Sequence, residues 1–259
     1  MRNAYIIAAN TLREALGQKL ILLFALVAVA LVGASNYFLK LDLGHEKVKF
    51  VFDFTSGALG FFGTLIAVVS TSQVFRAEFE NRTIITMMSK PVGFAEFVSG
   101  KVFGVFAVLA IFCAVIACAG AGMIALVQSA GGGAAEASAD YAGIAVFAAV
   151  QWAKLCTVAA IAAFIASASE SLLFSIVMSF AVVVACSMES AGRALGVASN
   201  WASETAALIF PNFAVFAASE SFAFDGVDFP AAGAAFLYAA VYIIVCIALA
   251  SWIFSKREL

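Results

Sequence analysis

The sequence predicts an all-α polytopic membrane protein, and three observations carry that reading. Hydrophobic residues fill 64% of the 259 positions and charged residues 12%, against roughly 45–50% and 25% in soluble domains. Mean hydropathy is +1.07. The apolar residues gather into runs of about 20, the length at which a helix crosses a hydrocarbon layer about 30 Å thick. A chain crossing that layer must satisfy its own backbone N–H and C=O groups. Helices do so locally, and the period-two alternation of a membrane barrel is absent. The five cysteines lie inside apolar runs with no CxxC spacing, and His45 is the single histidine. A disulfide framework or Cys/His metal centre does not fit, and the cysteines read as small packing residues. No metal, cofactor or nucleic-acid partner is expected.

The elements follow in order as one transmembrane domain over 1–259. Residues 2–19 form a helix with Tyr5, Ala8, Ala9, Leu12 and Leu16 on one face and Asn3, Asn10, Glu14, Gly17 and Gln18 on the other. That spacing is amphipathic. It fits an elbow lying in the membrane interface, or an extension of the first span packed on its own protein. Spans are expected at 20–37, 55–74, 102–127, 142–166, 172–187 and 231–254. The first apolar run is read as a retained span, because its basic, helical lead-in is long and no small-residue cleavage site follows. A loop is expected at 38–54. A small-residue linker, QSAGGGAAEASADY, is expected at 128–141, and a short turn carries Glu170.

The connection at 188–230 begins and ends polar, with an apolar stretch broken by Pro211-Asn212-Phe213. That stretch is too short and interrupted to span. It fits a re-entrant pair of short helices, or a plug of extracytoplasmic structure packed on the spans. Within the fourth expected span sit Gln151 and Lys154. A charge at such depth is expensive and usually faces a cavity or a partner. The pair is a candidate for the translocation path or a subunit interface; snorkelling, or a span that starts later, is the plainer alternative.

Lys and Arg counts in the short flanks orient the chain. Arg2, Arg13, Lys19, Arg76, Arg82, Lys90, Lys101, Lys256 and Arg257 fall on one side, and Lys40, Lys47, Lys49 and Arg193 on the other, nine against four. The richer side is expected to be cytoplasmic, with both termini and residues 76–101 inside.

That 76–101 region is the most informative stretch. It reads RAEFENRTIITMMSKPVGFAEFVSGK. It holds no P-loop, no Ser–His pair and no HExxH, so no catalytic residue is expected. Pro91 should end a first short helix, and a second should open near Phe94 and run into the next span. Phe79, Ile84, Met87 and Met88 add apolar side chains among charges. That mixture suits a docking knob, or an inner loop that packs on its own spans.

The stretch from Glu78 to Lys101 resembles the cytoplasmic segment between the second and third spans of ABC-2 type transporter permeases. The resemblance rests on Glu78 and Glu80, Asn81-Arg82-Thr83, Ile84 with Met87 and Met88, Lys90-Pro91, Glu96 and Gly100-Lys101. Arg13-Glu14 in the elbow, the IFPNF run at 209–213 and the basic SKREL ending are also similar. Relatives more often carry glycine where this chain has Asn81-Arg82, and its spans are unusually rich in alanine. The resemblance implies a six-span permease fold in the inner membrane with no ATPase of its own. It implies pairing with a second permease copy, or a related one, and with separate cytoplasmic ATP-binding subunits. In that picture Glu78, Glu80, Asn81, Arg82, Thr83, Met87, Met88, Lys90 and Pro91 form the ATPase-coupling surface. The rivals are a permease-like scaffold without transport, a lipid-acting intramembrane enzyme, and an ion-driven transporter. The last two lack their mid-span carboxylates and polar clusters.

Overall fold

The computed structural model describes residues 2–38, 47–81, 94–130, 140–169, 171–194 and 211–256. Every regular element among them is helical: α1 (Arg2–Leu16), α2 (Lys19–Phe38), α3 (Lys47–Asn81), α4 (Phe94–Ala130), α5 (Tyr141–Ala168), α6 (Leu172–Ala194), the short α7 (Ala214–Ala217), a 3-10 turn (Ala218–Ser221), α8 (Phe222–Asp225) and α9 (Phe229–Lys256). α3, α4, α5 and α9 are each long and apolar enough to cross a bilayer, and α1 with α2, bent by 67°, makes up to a fifth crossing. The apolar part of α6, Leu172–Met188, is shorter. The chain is therefore an all-α polytopic membrane protein.

α5 is the hub. It packs against α3, α4, α6 and α9, and Ala153, Ala159, Ala160, Ala162, Ala163 and Ala166 are buried along it. Lipid tails are as apolar as leucine, so helices in a membrane associate through close fit, which small side chains permit. α9 answers with its own alanines: Ala232, Ala235, Ala239 and Ala250 are buried, while Leu237, Val241, Ile244, Leu249 and Trp252 point outward. α2 divides the same way, with Ile21, Ala28, Val32 and Ser35 inside and Leu20, Leu22, Leu23 and Leu26 outside. The outward leucines form the surface that lipid would cover. The ends of α5 are set locally. Asp140 caps the first turn by accepting from the Ala142 N–H at 3.0 Å, and the Ser169 N–H closes the last turn on the Ile165 carbonyl.

α1 bends into α2 at Gly17-Gln18 and lies against α4. Its buried stripe is Ile7, Thr11 and Ala15, while Tyr5 and Leu16 of the expected apolar face are exposed. The polar Thr11 concealed that stripe from a hydropathy reading, although its i, i+4, i+8 spacing is helical.

α3 begins at Lys47, ahead of the expected edge at 55. Val48, Val51 and Phe52 are buried against Ile124, Ile144, Phe147 and Ala223, so the stretch expected as loop is partly a helix packed on the far end of the bundle. Lys47, Lys49 and Asp53 occupy the other faces of that turn. α6 likewise runs on to Ala194, past 187. The expected linker at 128–141 is helical to Ala130, and its residues 131–139 lie outside the described residues.

Candidate functional site

At one end of the bundle, the last turns of α3 and the first turns of α4 form a pair of stems. α3 has 35 residues and α4 has 37, so at 1.5 Å per residue each is roughly 50–55 Å long, well over the hydrocarbon thickness of about 30 Å. Their junction is held by Lys101, which is 2% exposed. Its Nζ donates to the Val74 carbonyl at 3.1 Å and lies 5.4 Å from the Phe97 ring centroid. A buried ammonium is tolerable only when its donors are used. This one ties the start of α4 to α3. Beside it the Ser72 and Ser175 hydroxyls meet at 3.1 Å between α3 and α6. A notch there is lined by Ser72, Arg76, Ala166, Ser169, Ser171, Leu172 and Ser175.

At the other end, residues 211–225 lie between the helices. The Asp140 N–H donates to the Ala223 carbonyl at 2.9 Å, so α8 lies level with the start of α5. Deeper in, the Tyr238 hydroxyl of α9 accepts from the Asn212 N–H at 2.7 Å, and Phe213 carries the Lys154 Nζ 5.6 Å from its ring centroid. From Phe213 to Phe222 the helical rise is about 14 Å. That agrees with the rise of about 16 Å along α5 from Gly143 to Lys154. Phe213, Phe216, Ser219 and Phe222 are buried along the way. The left-handed Gly226, φ +92°, turns the chain toward α9; a residue with a Cβ adopts that conformation only at a cost.

Polar residues are spread over the far half of the bundle, exposed at Glu220 and buried at Gln151. Lys154 is half-buried in the middle of α5. Glu220, on the 3-10 turn, is within coulombic reach of it and accepts a long 3.5 Å hydrogen bond from the Ser56 hydroxyl of α3. Gln151, three residues before Lys154, is 3% exposed, and its Oε1 meets no partner among the described residues. On the other side of α5, two residues before Lys154, Trp152 Nε1 donates to the Phe106 carbonyl of α4 at 3.0 Å. Among the described residues no group of three or more His, Cys, Asp or Glu is placed to hold a metal ion.

The family model described as ABC-2 family transporter protein matches residues 17–186, about two thirds of the chain. The chain belongs to the ABC-2 transporter family. No curated protein matches it. The match runs from the elbow bend into α6 and takes in both stems. The protein is thus a membrane permease of ABC-2 type, a family whose members are not themselves catalysts.

In this ABC-2 permease the residues singled out from sequence fall into two groups. Glu78, Glu80 and Asn81 lie in the last turns of α3, which is helical to Asn81, though their side chains lie outside the described residues. Arg82, Thr83, Met87, Met88, Lys90 and Pro91 lie outside them altogether. Gln151, Lys154, Pro211, Asn212 and Phe213 are described, and Lys154 and Phe213 meet. Sequence reasoning did not pair Lys154 with Glu220, or Asn212 with Tyr238. Nor did it assign Lys101 to the junction of the stems; the signal available was a lone lysine opening an otherwise apolar run.

Replacing Lys101 with methionine keeps the stem volume and removes the donor. Hydrogen bonds to charged groups contribute roughly 1.5–3 kcal/mol. Lys101→Met is expected to lower the stability of the purified permease by an amount in that range, read as an earlier midpoint in detergent unfolding. A midpoint equal to wild type would assign the junction to apolar packing alone.

Proposed function

We propose that the chain is the membrane-spanning subunit of an ATP-driven transporter, with six spans, and that residues 76–101 transmit force from separate cytoplasmic ATP-binding subunits. The two spans beyond the four long apolar helices would be α2 and α6. Two permease copies, or two related ones, enclose the path. Both termini and the stems face the cytoplasm, in keeping with the nine-against-four distribution of Lys and Arg. The observation that carries this reading is the pair of stems clamped by Lys101. Helices that overrun the bilayer and are pinned together can carry a push on their connector into the bundle; an unpinned loop would absorb it.

On this reading Glu78, Glu80 and Arg82 contact the ATPase through charge, Met87 and Met88 fill its groove, and Pro91 sets the angle at which the connector enters α4. The double swap Glu80→Arg with Arg82→Glu is expected to preserve membrane insertion. It should abolish co-purification of a P-loop ATPase with the tagged permease, or cut transport-stimulated hydrolysis at least about ten-fold, the effect of losing roughly 1.4 kcal/mol of coupling. Unchanged values of both would sink the assignment. So would a topology probe at residue 85 reporting the extracytoplasmic side.

A further inference from the structure

We infer that the side of α1 turned away from α4 is a docking surface for the headgroups of anionic phospholipids, with Arg13 holding the headgroup and Tyr5 and Leu16 anchoring the helix at the acyl boundary. This rests on the chain spanning a membrane, and not on the ATPase partner or on transport.

Orientation comes first. α1 meets α2 at 67°. Spans tilt by about 20° on average, so a helix at that angle to one lies nearer the membrane plane than its normal. One side of α1 is taken by protein. Ile7, Thr11 and Ala15 are buried, and Gly104 of α4 lies close against Thr11 and Ala8. At about 100° per residue, the rest of the helix divides into two flanks. Tyr5, Ala9, Leu12 and Leu16 fall on one, within roughly 60°. Asn10 and Glu14 fall on the other. Arg13 stands between them, opposite α4, with Ile6 beside it.

An apolar flank, a polar flank and a cation on their border make the cross-section of a helix lying in the membrane interface. Tyr5 is 76% exposed and Leu16 43%, so the protein does not cover the apolar flank. That flank runs on into the exposed Leu20, Leu22 and Leu23 of α2. The lipid that covers α2 therefore continues along α1. An arginine stem can lie on apolar surface while its head reaches the phosphate level, and the planar guanidinium takes two phosphate oxygens at once.

The charge of the lipid follows from the charges around it. Arg13, Lys19 and Lys256 are exposed at this end of the bundle. Among the described residues the exposed acid there is Glu14, on the water flank. α9 begins at the far end and rises about 40 Å to Lys256. There the Lys256 Nζ lies 4.6 Å from the centroid of the exposed Trp252 ring, and tryptophan favours the headgroup level. A zwitterionic headgroup balances its phosphate with its own ammonium. An anionic one leaves its charge for these cations, a gain of about five-fold in affinity per basic residue. Lipid held at Arg13 keeps α1 seated on Gly104, three residues along α4 from Lys101. The charge of the leaflet thus bears on the junction of the stems.

The test uses the full chain in nanodiscs of phosphatidylcholine, alone or mixed with phosphatidylglycerol of the same acyl chains. Amide hydrogen exchange of α1 is read against that of α5. Phosphatidylglycerol is expected to slow exchange in α1 about five-fold at low salt, to leave α5 unchanged, and to lose its effect at high salt. Arg13→Gln should cancel the slowing, and Arg13→Lys should keep it. Leu16→Ser should speed exchange equally in both lipids, because it removes apolar area and no charge. An α1 that ignores phosphatidylglycerol, or that responds to it equally in Arg13→Gln, overturns the inference. So does equal slowing by inorganic phosphate in phosphatidylcholine discs, which would make the ligand a soluble anion. A Leu16→Ser protein that exchanges like wild type would take α1 out of the bilayer and overturn it as well. Each of these leaves the coupling role of 76–101 untouched.

Discussion

Gly143→Ala is expected to dislodge the 211–225 segment from α5. A Cβ built at Gly143 would lie 2.0 Å from the Phe222 carbonyl oxygen, 2.7 Å from its carbon and 3.1 Å from the Ala223 Cα. These are backbone atoms, so no rotamer change relieves the overlap. The neighbouring hydrogen bond from the Asp140 N–H to the Ala223 carbonyl, at 2.9 Å, holds the two chains at that separation. Relief therefore means moving α8 as a body, and with it the packing of Phe213, Phe216 and Phe222. Overpacking of this kind costs about 1–3 kcal/mol, and rigid neighbours put it at the upper end. The measurement is the unfolding midpoint of the purified permease, together with protease cleavage within 211–225. Gly122→Ala and Gly233→Ala are the controls, because an added methyl meets nothing within 4 Å at either position. They should be neutral or slightly stabilising, since alanine is the better helix former by up to about 1 kcal/mol. A Gly143→Ala protein indistinguishable from the controls would mean that the segment does not rest on α5.

The same contrast explains how much was legible in the residues. The limits of α5 could be read because a long Ala/Val run lies between Asp140, a capping side chain, and the serines at 169 and 171. The start of α3 could not. There Val48, Val51 and Phe52 carry a helical face, but Lys47, Lys49 and Asp53 lower the local hydropathy, and the burying partners come from three other elements. Lys154 was conspicuous by depth alone. Its relation to Glu220 was not legible, because the two are far apart in the chain and Glu220 belongs to a connection whose path depends on Tyr238 and Gly143. The stretch between Glu78 and Pro91 was singled out by its pattern, and its coupling role is the proposal made above. What the structure adds there is the stems and the Lys101 tie, since the connector itself lies outside the described residues. Local pattern thus located the helices, and long-range packing decided which polar residues meet.

The elbow offers the second large effect. Gly104 of α4 lies under α1, and a Cβ there would fall 2.6 Å from the Thr11 Cβ, 2.8 Å from its Cγ2 and 2.9 Å from the Ala8 carbonyl oxygen. Gly104→Ala must therefore lift α1 off α4 or tilt it about the bend at Gly17-Gln18. The expected loss is about 1–3 kcal/mol, with faster proteolysis of α1 as a local readout. Thr11→Gly removes the two closest contacts and leaves only the Ala8 carbonyl. Alone it should weaken α1 by roughly 0.3 kcal/mol through helix propensity, since threonine is itself a poor helix former. Combined with Gly104→Ala it should recover part of the loss. Residues in contact give such non-additive cycles, whereas distant ones add. Strict additivity would place the two sites out of contact. Rescue would establish that α1 is seated on α4 by a single close crossing, next to the stem that Lys101 ties to α3. A disturbance of the elbow would then reach the stems directly, through α4, without passing through the lipid-facing side of α2.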